Sequence, residues 1–438
     1  MQKGWVSFAA AWAIFLGVGP SAVYASGFQL IEQNASGLGN AYAGLAAVAD
    51  NASTIFYNPA GMSRLPGLNV SGGVTLIKPA FRFSNDGSRG PAGLALGSGT
   101  GGDAGSLALL PNTYVSWQVN PDWHVGLGIG APFGLKTEYD ETWIGRYHST
   151  EFGIETVNLN PSVAYRVSDS LSLGAGLNWQ YLSADYQRKV PAAGLVQQLP
   201  GGMANALAAT VLGSPDMDGR VKLKGDAWGW NAGLLYQMTP ATRVGLSYRS
   251  AMRYDATGTT SLKNLPLGMP ARSADASTTV KLPDTAILSV AHDLNKKWQL
   301  LADVSWTGWS SLPSLDIDSG SLGQESLKLG FRDTWRVALG ANYRHSQKWL
   351  FKAGVSYDQT PVPGSGLRPT SLPDSDRIWL SVGVQYKFTE QSTIDIGYAH
   401  IFMRKPYIDN NSDAAKGTVT GSYAAAIDMV GVQLSHRF

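Results

Sequence analysis

Few side chains in this sequence have the types and spacing that catalysis or metal binding requires. The chain has 438 residues, six histidines and no cysteine, which excludes thiolate nucleophiles and thiolate metal sites. No Gly-x-Ser-x-Gly motif, which would carry a serine nucleophile on a strand-to-helix turn, is apparent. No cluster of metal-binding residue types is apparent either. We therefore expect no enzymatic activity, no metal and no cofactor.

The composition favours a β-rich protein that faces something other than water. There are 34 Lys and Arg against 32 Asp and Glu, so the chain lacks the basic surplus of nucleic-acid binders. Only 15% of the residues are charged, whereas about 25% is usual in soluble domains. Glycine occupies 51 positions, and Trp, Tyr and Phe occupy 14, 18 and 13. This balance is unusual for a cytosolic enzyme.

The first 25 residues have the layout of a secretory signal peptide. Lys3 gives a positive start, Gly4–Gly19 is almost wholly apolar, and small residues precede the expected cleavage site after Ala25. An N-terminal membrane anchor is the alternative, but the apolar run is shorter than the about 20 residues that span a bilayer. We expect the rest of the chain to be exported.

Beyond residue 66, apolar and polar residues alternate with a period of two. In Trp123–Gly130 the odd positions are apolar and the even positions are His or Gly, and Ile378–Phe388 alternates in the same way. Such alternation indicates β-strands. The segments number fourteen, and bacterial single-chain barrels have even strand numbers. The segments are 68–84, 106–120, 122–137, 155–167, 170–189, 218–239, 241–257, 277–294, 297–312, 326–345, 348–360, 376–389, 391–404 and 420–438.

The links between these segments are alternately short and long. Turns such as Pro121-Asp122 contain two residues, whereas links such as 138–154 and 361–375 are much longer. Outer-membrane barrels have this plan, with tight periplasmic turns and long extracellular loops. A soluble β-sandwich also alternates, but the polar face here is too uniform to be a core. The sequence predicts an all-β, 14-stranded antiparallel transmembrane β-barrel in the bacterial outer membrane.

The two ends of the exported chain differ from the strands between them. Residues 26–66 are rich in Ala, Gly, Asn and Ser and have no period of two, and a 14-stranded barrel has a wide lumen. We therefore expect three parts: a signal peptide (1–25), an N-terminal helical hatch, or plug, inside the lumen (26–66), and the barrel (67–438). The chain ends on Phe438, a terminal aromatic residue of the kind that barrel-insertion machinery recognises.

Several short motifs are more specific than the alternation. They are Ser26-Gly27-Phe28-Gln29-Leu30, Ser36-Gly37-Leu38-Gly39-Asn40-Ala41-Tyr42-Ala43-Gly44, Asn58-Pro59-Ala60, Gly330-Phe331-Arg332-Asp333-Thr334-Trp335-Arg336, Asp358-Gln359-Thr360-Pro361-Val362-Pro363 and Pro373-Asp374-Ser375-Asp376-Arg377. Together they resemble the FadL family of outer-membrane long-chain fatty acid transporters. The resemblance covers nearly the whole exported chain and breaks only in the long loops.

The resemblance implies an internal pocket that combines an apolar cavity with basic residues for a carboxylate. The family's basic positions correspond to Arg188, at the end of the fifth predicted strand, and to Lys328, near the start of the tenth. Both have the inward-facing parity of their predicted strands. Phe28 is implied to rest near this pocket. Alternatively, Arg188 is a solvated residue at the base of a loop, and Phe28 merely anchors the plug.

The resemblance also implies a gap in the barrel wall at the third strand, with Asn58-Pro59-Ala60 of the hatch beside it. Ala131-Pro132-Phe133-Gly134 fits such a gap, because proline has no N–H for the ladder and glycine permits a kink. The alternatives are a bulge near the rim and, for Asn58, a simple helix cap. The apolar loops 190–217 and 258–276 are implied to form an outer groove that first binds the ligand.

These features imply passive, ligand-gated uptake of hydrophobic compounds, most of all long-chain fatty acids, with lateral exit through the wall. A related importer of aromatic hydrocarbons or alkanes would keep the hatch and the gap without needing Arg188. A general porin would need neither a plug nor apolar loops. The expected partners are the ligand, outer-membrane lipid and lipopolysaccharide, and the insertion machinery, with no nucleic acid. We expect a monomer.

Overall fold

A computed structural model describes residues 27–192 and 214–438; the predicted signal peptide and most of the loop 190–217 lie outside them. The strands are β1 (Leu68–Asn85), β2 (Ala108–Gln118), β3 (Trp123–Gly130), β4 (Gly134–Glu138), β5 (Glu151–Arg166), β6 (Leu171–Val190), β7 (Met217–Thr239), β8 (Thr242–Arg249), β9 (Met252–Lys263), β10 (Arg272–Leu282), β11 (Thr285–Asp293), β12 (Trp298–Thr307), β13 (Ser314–Asp318), β14 (Gln324–Lys328), β15 (Thr334–Arg344), β16 (Trp349–Asp358), β17 (Arg377–Lys387), β18 (Ser392–Met403), β19 (Tyr407–Asn410) and β20 (Val419–Arg437). The helical turns are α1 (Thr54–Tyr57) and 3-10 turns at Leu38–Asn40, Pro59–Arg64, Pro91–Gly93, Pro266–Gly268, Trp309–Ser311, Gly320–Leu322 and Ser365–Leu367.

Fourteen antiparallel strands close into one barrel, which confirms the predicted fold. Three of these strands are interrupted: β3 with β4 forms the third, β8 with β9 the seventh, and β10 with β11 the eighth. Neighbours pair in sequence order, and β1 pairs with β20 from Asn69↔Arg437 to Asn85↔Gly421, which closes the sheet. Within the described part of the chain, no helix has the length and apolarity to span a bilayer.

The wall exposes apolar side chains and buries polar ones, the reverse of a soluble protein. On β17 the outward Leu380 and Val382 are 50% and 58% exposed, while the inward Ser381 is buried. Aromatic pairs such as Trp298–Tyr343, with ring centroids 4.7 Å apart, lie at the short-turn ends of the strands. These pairs form the aromatic girdle expected at a membrane interface.

The hairpin β13–β14 corrects one predicted boundary. The strand predicted at 326–345 begins only at Thr334, because Gln324–Lys328 pairs with Ser314–Asp318 in the preceding loop. The alternation at 326–328 is genuine, but it belongs to this hairpin. Lys328 is therefore exposed on β14 and does not face the lumen from the tenth barrel strand.

Candidate functional site

Residues 27–66 lie against the inner face of the wall. Inward-facing glycines admit the backbone of this segment. A Cβ at Gly245 would lie 1.9 Å from the carbonyl oxygen of Ala46, and one at Gly354 would lie 2.1 Å from that of Asn40. Any larger residue at either position would displace the segment. That this segment acts as a hatch stays a prediction.

Buried ion pairs from the wall hold the segment. Lys352 pairs with Asp395 at 2.7 Å and donates to the carbonyl oxygen of Ser36 at 2.9 Å. Arg336 lies 3.7 Å from Asp303, as expected for an inward ion pair, and donates to a backbone carbonyl of the segment. Charges taken out of water are stable only when paired and hydrogen-bonded. These inward charges therefore bind the segment rather than line a water-filled channel.

The third strand is interrupted between Gly130 and Gly134, and the use of this interruption as a lateral opening stays a prediction. β3 ends at Gly130 and β4 begins at Gly134. The second strand pairs with β3 only from Thr113 to Gln118. Among the described residues, none of the third strand pairs with residues 108–112 of the second strand. The hydrogen-bonded ladder between the second and third strands therefore ends at the pair Thr113↔Ile129.

Residues of the N-terminal segment supply the missing backbone partners. The N–H of Leu30 donates to the carbonyl oxygen of Pro132 at 2.7 Å, and the N–H of Gly134 donates to that of Phe28 at 2.9 Å. A short antiparallel bridge thus lies on the inner side of the break. Buried backbone groups at membrane depth must be satisfied within the protein, so this bridge stabilises the interrupted wall.

The Gln33 side chain completes the closure. Its oxygen accepts from the N–H of Ala131 at 3.0 Å, and its Nε2 donates to the carbonyl oxygen of Ala131 at 2.8 Å. The side-chain amide thereby forms the two backbone hydrogen bonds that a neighbouring strand residue would otherwise form with Ala131. Gln33 is fully buried. Sequence reasoning missed it, because a glutamine in a segment without periodicity carries no signal of its partner.

Phe28 belongs to an aromatic cluster that joins the segment to the break. Its ring centroid lies 4.8 Å from that of Trp309 and 6.1 Å from that of Phe133. The preceding N–H, of Gly27, donates to Asp374 at 3.0 Å. The start of the segment is therefore anchored both to the third strand and to the loop before the twelfth.

Arg188 lies at the outer end of β6 beside a cavity of about 390 Å³. Its Nη2 lies 3.3 Å from the Glu325 Oε2, whereas Arg220, on the same cavity, is paired with Asp185. Apolar side chains form much of the remaining lining. They are Val190, Met217, Val221, Leu262 and Leu322. A mostly apolar cavity with a few charged groups suits an amphipathic ligand.

Two cations share the Glu325 carboxylate. Lys416, which precedes the last strand, contacts Oε1 while Arg188 contacts Oε2. Burial alone would raise the pKa of Glu325, but the two cations outweigh it and lower the pKa to about 2. Nearby, burial first and Lys416 second lower the pKa of His148 to about 4. At neutral pH the glutamate is therefore ionised and the histidine is neutral.

Two predicted site elements, Lys328 and Asn58-Pro59-Ala60, lie away from the Arg188 cavity and from the third-strand break. Lys328 does not line the Arg188 cavity; the second cation beside Glu325 is Lys416. In the hatch motif, the Asn58 side chain accepts from the N–H of Ala60 at 3.1 Å and donates to the carbonyl oxygen of Leu234 on β7 at 3.0 Å. Asn58-Pro59-Ala60 thus caps a helical turn against the sixth strand rather than beside the break. A role of the motif in gating stays a prediction.

A further cavity, of about 420 Å³, lies beneath the segment at the short-turn ends of the strands. Its lining is more polar than that of the Arg188 cavity, although arginines line both. The arginines of the cavity beneath the segment are Arg64, Arg243, Arg344 and Arg437. The described residues contain no group of three His, Cys, Asp or Glu that could hold a metal ion.

Comparisons with known proteins agree with this architecture. The sequence model of the family described as outer membrane protein transport protein (OMPP1/FadL/TodX) matches residues 17–438. The long-chain fatty acid transport protein of Escherichia coli K12 is 32% identical, over 86% of this chain and 88% of the relative. Outer membrane protein P1 of Haemophilus influenzae Rd is 32% identical, over 94% and 95%.

Two solved structures are similar over nearly their whole length. A Pseudomonas aeruginosa FadL homologue has a TM-score of 0.83 at 25% identity and covers 94% of this chain and 100% of its own. The toluene transporter TodX of P. putida has a TM-score of 0.71 at 18% identity, with 92% and 98% covered. The chain therefore belongs to the OMPP1/FadL/TodX family and is an outer-membrane transport protein, not an enzyme.

Proposed function

We propose that this transporter takes up long-chain fatty acids passively, in three steps: capture beside Arg188, displacement of the N-terminal segment, and lateral exit through the third-strand break. The observation that carries the proposal is the closure of the break by residues 28–33. A wall interrupted in its own ladder and closed by a separate segment has a built-in route for opening.

The first step uses the cavity at the outer end of β6. Its apolar lining can hold an alkyl chain, and the guanidinium of Arg188 can bind a carboxylate through two parallel N–H groups. The relatives named as long-chain fatty acid transport proteins support this ligand class. The carboxyl group of such a ligand is ionised at neutral pH.

The second and third steps use the segment around Phe28. A ligand that enters the cluster of Phe28, Trp309 and Phe133 competes with the aromatic contacts that hold residues 28–33 against the break. Loss of those contacts frees Ala131–Gly134 from their partners and opens the wall. Lateral exit is also favoured by chemistry, because the cavity beneath the segment is polar and basic and does not suit an apolar cargo.

An importer of neutral hydrocarbons is the second candidate. The structural similarity to a toluene transporter supports it, and so does the pairing of Arg188 with Glu325, which leaves less positive charge for an anionic ligand. In this alternative the segment and the break would act in the same way, and only the first step would differ.

The two candidates are separated by Arg188→Ala in the purified protein. Binding of oleate should weaken about tenfold, the effect of losing one charge-assisted contact, while binding of hexadecane should not change. Arg253→Ala is the matched control, since Arg253 is an exposed arginine outside the cavity. Equal loss of both ligands, or of neither, would argue against a carboxylate site. Growth of a strain with only this transporter on oleate or on toluene tests the same choice in cells.

A further inference from the structure

The carboxylate of Glu325 occupies the place beside Arg188 where a ligand carboxylate would bind. Its Oε2 lies 3.3 Å from the Arg188 Nη2, and both side chains are about one-fifth exposed. Glu325 also lines the same cavity as Arg188. An anionic ligand that reaches Arg188 therefore meets a negative charge that is already there.

The surroundings of Glu325 keep that charge in place. Lys416 contacts its Oε1, and the Tyr186 hydroxyl, which donates to the carbonyl oxygen of His148, lies 3.4 Å from the same oxygen. Asp413 lies 3.7 Å from Lys416 and balances part of its charge. A carboxylate held by two cations stays ionised, so it opposes an anion throughout the neutral range.

Glu325 belongs to a separate structural element from the cations that it contacts. It lies on the hairpin β13–β14, whereas Arg188 lies on β6 and Lys416 precedes β20. The hairpin meets the barrel through the bridge Ser277↔Asp318, through side-chain bonds such as Thr278 Oγ1 to the Asp316 carbonyl oxygen at 2.6 Å, and through the packing of Ile317 against apolar side chains of the wall. A shift of the hairpin would withdraw the glutamate and leave Arg188 in place.

We propose that Glu325 is an internal competitor for Arg188 and sets the preference of this transporter between anionic and neutral hydrophobic ligands. The inference rests on the proposed function, because it assumes that Arg188 receives the ligand. A fatty acid has to break the Arg188–Glu325 pair, whereas a neutral ligand of the same length leaves that pair intact. Glu325 thereby lowers the affinity for the acid without lowering that for the neutral compound.

The test is Glu325→Gln, which removes the charge and keeps the shape. Dissociation constants for oleate and for oleyl alcohol are measured on the purified wild type and on the variant. Oleate should bind about tenfold more tightly to the variant, the size of one charge-assisted contact, and oleyl alcohol should bind equally to both. Asp316→Asn is the matched control, because Asp316 is an exposed carboxylate of the same hairpin outside the cavity lining and should change neither constant.

A second variant keeps the test decisive if Glu325→Gln does not fold. Glu325→Asp retains the charge but withdraws it by one methylene, and oleate should again gain affinity relative to oleyl alcohol. Unchanged or weaker oleate binding in the variant that folds would overturn the proposal, since the glutamate would then only support Arg188.

The outcomes also separate this inference from the proposed function. Oleate binding by the wild type with no gain in the variants rejects the competitor and retains fatty acid uptake. Oleate binding by the variants alone supports the competitor and rejects fatty acids as ligands of the natural chain. Oleate binding by none of the proteins rejects both.

Discussion

Two of the three interrupted strands of the barrel, the third and the seventh, are closed in different ways. At the seventh strand, β7 pairs with β9 as far as Lys224↔Thr257 and resumes with β8 at Asn231↔Arg249. Ser250, within this interruption, closes it locally: its N–H donates to the carbonyl oxygen of Trp230 at 2.9 Å, and its hydroxyl accepts from the Trp230 N–H at 2.9 Å.

The third-strand break is closed by residues from a distant part of the chain. Gln33 and Ala131 are 98 positions apart in sequence, and the neighbouring contacts of Leu30 and Phe28 come from the same segment. A locally closed interruption can open only by unfolding part of its own strand. A break closed by a separate segment can open by movement of that segment alone, and this difference is why we propose the third strand as the gate.

The largest expected effect is that of a disulfide across the third-strand break. Gln29 and Phe133 are bridge partners, and opposed antiparallel residues have Cα atoms close enough for a disulfide. The natural chain has no cysteine, so Gln29→Cys with Phe133→Cys forms one defined pair. We expect oleate uptake to fall to background when the pair is oxidised, because the segment can no longer leave the break. Uptake of labelled oleate before and after reduction measures this.

The control is a disulfide across the interruption of the seventh strand. A Cβ at Gly229 would lie 2.9 Å from the Ser250 hydroxyl, so Gly229→Cys with Ser250→Cys joins the sixth and seventh strands. Oxidation of this pair should leave uptake unchanged. Continued uptake by the oxidised third-strand pair would contradict the lateral route.

A smaller effect is expected from Gln33→Ala. The substitution removes two hydrogen bonds to Ala131, each worth about 1 kcal/mol, while the backbone bridge of Leu30 and Phe28 remains. The segment should therefore leave the break more often without a ligand. Hydrogen exchange of the Leu30 and Gly134 amides should quicken about thirtyfold. Unchanged exchange at both amides would mean that Gln33 does not hold the segment in place.

The smallest effect is expected from Ser250→Ala at the seventh strand. The loss of one hydrogen bond to Trp230 should lower the free energy of unfolding by about 1 kcal/mol. Oleate uptake should not change, since no separable segment covers this interruption. Urea unfolding in detergent and the uptake assay measure the two quantities. Loss of uptake with unchanged stability would show that this interruption also acts in transport.

The barrel was readable from the alternation, and the break was implied by the resemblance together with Pro132, whereas the contacts of the cationic cluster were not readable. Pro132 interrupts an alternating strand, and this local signal needs no knowledge of the neighbours. Lys328 also followed the alternation, but the alternation belonged to the hairpin β13–β14. A period of two indicates that a segment is a strand, but it does not indicate which neighbouring strand the segment pairs with. Lys416 lies in the loop before β20, where the sequence does not alternate. Its place in the cluster is therefore shown only by its contact with Glu325.

The sequence by itself determined which residues face lipid and which face the lumen, because side-chain direction in a strand alternates with position. It also determined where the third strand cannot pair, because proline lacks an N–H. Only the tertiary structure decided what fills that break and what Arg188 contacts. Gln33 meets Ala131, and Glu325 meets Arg188, across 98 and 137 positions of chain. Such pairs are set by barrel closure and loop packing, which leave no local pattern in the residues themselves.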